Sequence, residues 1–220
     1  MEQSELGYSN SMPCKCGERP PGKLRGMLIG ATAMCILVAL ALALAVAHSA
    51  LLFAQAKPPT EYEIKAAFLY NFAKFVEWPS SAFKGPKQPL AICVIGRDPF
   101  GQALEDALSG KSIGDHPVSL AHSKDLGELA ACQIVFVSTT ESPRLLEILA
   151  RLRGHGVLLV GEAEGFATAG GTIQFVLEQN RVRFAINPDA ADRAGLKISS
   201  KLLALALIVH DAGPNGEAKR

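Results

Sequence analysis

The chain has 220 residues, 49% of them hydrophobic, which is enough for one domain or two small ones around a real core. Its 22 lysines and arginines nearly balance 21 aspartates and glutamates, and beyond Ala56 the two classes are equal. That neutrality argues against nucleic acid or an anionic lipid surface as partner, since both require clustered basic charge.

The first 26 residues are polar and include Cys14 and Cys16. Lys23 and Arg25 then precede a run from Met27 to Ala56 built almost wholly of Leu, Ala, Val, Ile and Met, with no acidic residue before Glu61. A basic flank, an apolar run and the small-residue triplet Ala54-Gln55-Ala56 have the layout of an export signal cleaved before Lys57. The rival reading is an uncleaved membrane anchor, because Met27 to Ala47 alone reaches the about 20 residues that span a bilayer. The expected organisation is therefore an N-terminal extension and signal over 1–56, one folded domain over 57–210, and a disordered polar tail over 211–220.

After the proline-rich linker, Thr60 and Glu63 have the spacing of a capping box. They open a helix within a stretch, Tyr62 to Pro79, that holds six of the chain's fourteen aromatic residues. On a helical wheel Ile64, Ala66, Phe68, Leu69, Phe72, Ala73, Phe75 and Val76 sweep an apolar arc of roughly 200°, broken by Lys65, whereas one core contact needs about 100°. The surplus asks for a second layer of the same protein, another copy, or a different partner. Glu63, Asn71, Lys74 and Glu77 form the wet edge, and Pro79 ends the segment. Tyr70, Asn71, Lys74 and Trp78 are the candidate partner-binding residues.

Leu90 to Gly96 is a continuous apolar run of strand length, as in strands buried on both faces. The next segment, 98–108, reads as a helix opened by Asp98 with Pro99 in its first turn. The alternation continues with a strand at 117–122, a helix capped by Ser123, a strand at 133–138, a helix over 141–152 and a strand at 156–161. This pattern predicts a single α/β domain whose largely parallel sheet carries helices on both faces in Rossmann-like layering. Two alternating strands joined around Gln179-Asn180 predict an antiparallel hairpin at one edge. Asn187 caps a short helix with Pro188 at its first position, and Ile198 to Val209 reads as a closing apolar helix.

Three of the five cysteines precede the expected cleavage point, leaving Cys93 and Cys132. An even count in an exported domain fits a single disulfide, and the alternative is two buried thiols acting as small hydrophobes. Ser109 to Gly114 contains Gly-Lys-Ser, yet the P-loop glycine five residues before Gly110 is Glu105. Gly96, Arg97, Asp98 and Gly101 form a candidate anion or ligand loop at a strand end, although they lack dinucleotide-binding spacing. No nucleophile elbow, zinc motif or acid-base pair stands out, and the four histidines after residue 57 are scattered. No cofactor and no metal are expected, and a regulatory or binding role is favoured over catalysis.

Several of these segments together resemble the YfiR family of exported bacterial proteins: 65–79, 90–101, 132–138, 170–187 and 194–209. The resemblance runs in order from about Tyr62 to Val209. It implies a non-enzymatic periplasmic repressor that binds the periplasmic sensor region of an inner-membrane diguanylate cyclase and so limits cyclic-di-GMP signalling and biofilm formation. Release would come from an outer-membrane lipoprotein or from redox damage to the fold. A homodimer is also expected. Cys93 and Cys132 match the family's cysteine on the first strand and the one before the 133–138 strand, whereas a second bridge present in some members has no counterpart after Cys132. Two other readings are a periplasmic small-ligand-binding module and a membrane-tethered accessory protein of a signalling operon.

Overall fold

The computed structural model describes residues 34–43 and 58–212. Residues 34–43 are helical, and Cys35 within them is an exposed free thiol. The cleavage triplet and the chain beyond residue 212 lie outside the described residues, and no described helix is long and apolar enough to cross a membrane.

The domain beginning at Pro59 opens with α1 (Glu61–Phe75). Its capping box is formed in full: the Thr60 hydroxyl accepts from the Glu63 amide while the Glu63 carboxylate accepts from the Thr60 amide. Helix α1 stops at Phe75 because β1 (Val76–Glu77) takes up extended geometry and pairs antiparallel with β9 (Lys197–Ile198). The main sheet contains β2 (Leu90–Ile95), β3 (Ser112–Ile113), β4 (His116–His122), β5 (Ile134–Val137), β6 (Leu158–Gly161), β7 (Ile173–Glu178), β8 (Arg181–Ile186) and β10 (Leu207–Ile208). Their spatial order is β10-β8-β7-β6-β5-β2-β4-β3. Strands β4, β2, β5, β6 and β7 run parallel, as the βα alternation requires.

Helices cover both faces. On one, α1 and α2 (Gln102–Leu108) pack over Ile92, Val94, Phe136, Val160, Phe175 and Phe184. On the other, α3 (Leu126–Leu129) and α4 (Leu145–Leu152) pack over Cys93, Ile95, Val135, Val137 and Leu159. Strands β5 and β6 are buried at every position, which is why their sequences carry no polar alternation. Short α5 (Pro188–Arg193), capped by Asn187, and α6 (Ser200–Leu203) complete the domain.

The structure corrects the sequence reading at several points. Helix α2 begins at Gln102 rather than Asp98, whose carboxylate instead accepts the Phe100 amide in a local turn. Helix α3 is capped by Asp125, and Ser123 holds the Asp125 amide. The expected closing helix is only the four-residue α6. Ala204 to Ala206 turn the chain, and Leu207–Ile208 form β10, which pairs parallel with β8. The β7–β8 hairpin does turn the sheet antiparallel at this end, with its turn at Gln179-Asn180, both with positive φ, and β10 adds only a two-residue strand beyond it. Residues 211–212 are not a loose tail. Asp211 pairs with Arg193 and accepts from Asn187, and the Ala212 amide bonds to the Thr168 carbonyl.

Phe166 is fully buried between the backbones of Gly161 and Gly171. A Cβ on Gly171 would lie 2.1 Å from the Phe166 ring, well inside van der Waals contact. Gly171→Ala is expected to destabilise the domain by about 1 to 3 kcal/mol through overpacking. Adding Phe166→Leu should recover part of the loss, as thermal melts of the single and double variants would show.

Candidate functional site

The aromatic helix divides its arc unequally. Ala66, Leu69, Phe72 and Ala73 are buried, and Phe68 and Phe72 meet Phe175 and Phe184 with ring centroids 5.2 to 6.2 Å apart. Lys65, which interrupts the arc in sequence, is itself buried. Its ammonium bridges the carboxylates of Glu61 and Glu162, and the Tyr62 hydroxyl donates to Glu162 at 3.3 Å. Glu162 follows β6, so this network ties the start of α1 to the sheet. Burial opposes the charge on Lys65, but hydrogen bonds and attraction from both carboxylates outweigh it and raise its pKa above the ordinary lysine value. Burial and the Glu162 charge raise the Tyr62 phenol as well.

The partner-binding candidates fall on two elements. Tyr70 and Asn71 are half-buried on the outer edge of α1, with Lys74 exposed and Phe75 at 36% exposure. The ammonium groups of Lys74 and Lys111 approach the Tyr70 ring at 5.6 and 5.9 Å from its centroid. Trp78 lies beyond β1, half-buried, and its indole donates to the Gln133 carbonyl at 3.1 Å. Gln133, absent from the sequence reading, is the hub of this region. Its buried side chain accepts from the Ala91 amide and donates to the Ala82 carbonyl, fastening the 79–89 connection to β2. Nothing in the local sequence marks it.

The Gly96 loop lies at the C-terminal ends of β2 and β5, where the strand order reverses and α/β folds place ligands. Here the chain's own side chains fill it. A Cβ on Gly96 would lie 2.6 Å from the Thr140 hydroxyl, which already accepts the Arg97 amide. Asp98 pairs with His122 at 2.9 Å, and Gly101 has positive φ just before α2. Among the described residues no group of three or more His, Cys, Asp or Glu side chains could hold a metal.

Cys93 on β2 and Cys132 at the entrance to β5 form a disulfide, with Cα atoms 6.1 Å apart. Adjacent parallel strands bring them together, since Ile92 pairs with Ile134. The bridge lies within the core beneath α3 and α4. A hollow of about 260 Å³ opens beside it, lined in part by Ser81, Lys84, Cys132, Gln133 and His155.

The YfiR/HmsC-like family model matches residues 62–207, from the first turn of α1 to β10. This chain belongs to that family. Among solved structures, a conserved domain protein from Vibrio cholerae O1 biovar eltor is similar at a TM-score of 0.47 and 10% identity, over 68% of this chain and 60% of that one. The ABC domain in complex with L-Trp from Streptococcus pneumoniae is similar at 0.39 and 12% identity, over 54% of each chain. This YfiR-like chain thus spans less than two thirds of either protein, and at these values the likeness extends to neither ligand nor function.

Two outcomes follow from the site. The disulfide closes a separation of 39 residues, worth about 4 kcal/mol on the chain-entropy estimate, so reductant is expected to lower the melting temperature markedly. Two free, readily alkylated thiols in peptide maps of the native protein would contradict this. Glu162→Gln is expected to cost about 1 to 3 kcal/mol at neutral pH, because Lys65 would lose one of its two carboxylates. The raised Lys65 pKa adds stability that is complete below the ordinary lysine value and is lost as pH rises through the folded value. Denaturant titrations at pH 8 and at a pH above the ordinary lysine value should therefore show the wild-type advantage shrinking as Lys65 loses its proton.

Proposed function

We propose that this protein is a periplasmic repressor that binds the periplasmic sensor region of an inner-membrane diguanylate cyclase and holds it inactive, limiting cyclic-di-GMP signalling and biofilm formation. The observation that carries the reading is the family match over 62–207, which takes in every element of the domain from α1 to β10. The role is a binding one, without catalysis or cofactor. Export to the periplasm accords with a disulfide built into the core, since such bonds persist in oxidising compartments.

The outer edge of α1 is the surface offered to the cyclase. Tyr70, Asn71 and Lys74 share one strip of the helix, with Phe75 beside them, whereas the inner strip is spent on Phe175 and Phe184. Trp78 contributes by holding the end of this segment against Gln133. Loss of the Cys93–Cys132 bridge would loosen the face beneath α3 and α4 and weaken repression, and an outer-membrane lipoprotein would release the cyclase by sequestering the repressor. A homodimer would present two such strips.

Deleting the gene is expected to raise cellular cyclic-di-GMP, and the wild-type copy should restore it. Lys74→Glu, at an exposed position, should leave the melting temperature within about 1 °C while repressing poorly, since surface substitutions rarely cost more than about 0.5 kcal/mol. Unchanged cyclic-di-GMP on deletion would overturn the proposal. Full repression by Lys74→Glu would remove the α1 strip from it.

A further inference from the structure

Strand β8 is six residues long, but β10 covers it only at Ala185 and Ile186. Among the described residues the rest of its outer edge, Arg181 to Arg183, has no neighbouring strand. The backbone direction there follows from the register. Glu178 and Arg181 flank a two-residue turn and exchange both hydrogen bonds, so alternate residues Val182, Phe184 and Ile186 turn their amide and carbonyl away from β7. The Ile186 carbonyl does so and accepts the Val209 amide at 2.9 Å. Val182 has the same orientation, and no backbone partner beyond β7 is found for it among the described residues.

The side chains along this edge are sorted by face. Val182 and Phe184 lie on the α1 face, where Phe184 packs against Phe68 and Phe72, and Leu177, opposite Val182, is 54% exposed. Arg181 and Arg183 lie on the other face, both exposed. Arg183 reaches the Glu178 carboxylate at 3.4 Å, and Arg181 has no ion pair among the described residues. Arg183 is thus paired with Glu178 on this face, and the Arg181 guanidinium is exposed beside it.

We propose that the open edge of β8 binds an extended segment of another protein whose residues alternate apolar and acidic, adding it as a strand beside Arg181–Arg183. Main-chain bonds to Val182 would hold it, its apolar side chains would cover Val182 and Leu177, and its carboxylates would meet Arg181 and Arg183. A second copy of this chain is disfavoured as occupant. Antiparallel self-pairing centred on Val182 would set Arg181 of each copy opposite Arg183 of the other, and like charges directly opposite are destabilising. This surface is distinct from the α1 strip and does not rest on the cyclase reading.

The test uses the purified full chain and two six-residue peptides, one alternating valine and glutamate, the other valine and lysine. The glutamate peptide is expected to bind, to slow hydrogen exchange at the Val182 amide, and to bind more tightly than the lysine peptide. Arg181→Glu with Arg183→Glu should weaken the glutamate peptide about tenfold and reverse the preference, which separates charge recognition from a folding defect. Equal binding of both peptides, or no slowing of Val182 exchange at millimolar peptide, would overturn the proposal. So would a protein that already protects Val182 and sediments as a dimer dispersed by the double substitution, since a second copy would then hold the edge.

Discussion

Four phenylalanine rings hold the domain in register. Phe68 and Phe72, one helical turn apart on α1, face Phe175 and Phe184, a directly paired couple on β7 and β8. Each helix ring touches both strand rings, so α1 can neither slide nor roll without breaking several contacts. The strands concerned include the hairpin arm that reverses the sheet's direction, and packing α1 on it fixes how the antiparallel end joins the parallel one. The Lys65 network and the β1–β9 pair then pin the two ends of α1. Consequently the outer strip of the helix is presented rigidly.

That arrangement concentrates the packing on one side of a single helix. Residues three and four apart on the inner side carry most of the burial, while Tyr70 and Asn71 on the outer side are half-buried and Lys74 is exposed. The open stretch of β8 is a second case of the same division. Phe184 anchors the strand from within while Arg181 and Arg183 face water. Both surfaces therefore sit on elements clamped by the same four rings.

Much of the fold was legible in the sequence where a single physical demand acted on a segment. Strands β2, β5 and β6 read as apolar runs because helices cover both their faces, and Gln179-Asn180 read as a turn because positive φ suits asparagine. The last strand misled because Ile198 to Val209 is apolar enough to satisfy a helical or an alternating pattern, and only the vacant edge of β8 decides between them. Of the site, the disulfide could be reached by counting cysteines once export was assumed. The roles of Lys65 and Gln133 could not, since their partners Glu162 and Ala91 lie 97 and 42 positions away. The Gly96 loop had the right residues for anion binding, but nothing local announced that Thr140 would take its amide.

The single tryptophan has an optical consequence. Trp78 is bonded to the carbonyl of Gln133, the residue immediately after a disulfide cysteine. Its ring is half-sheltered, and the Gln133 side chain secures the connection that follows it. The indole is thus an intrinsic fluorophore bonded to the start of β5 through the Gln133 carbonyl. The colour and intensity of its emission therefore give a label-free gauge of whether this part of the molecule is intact.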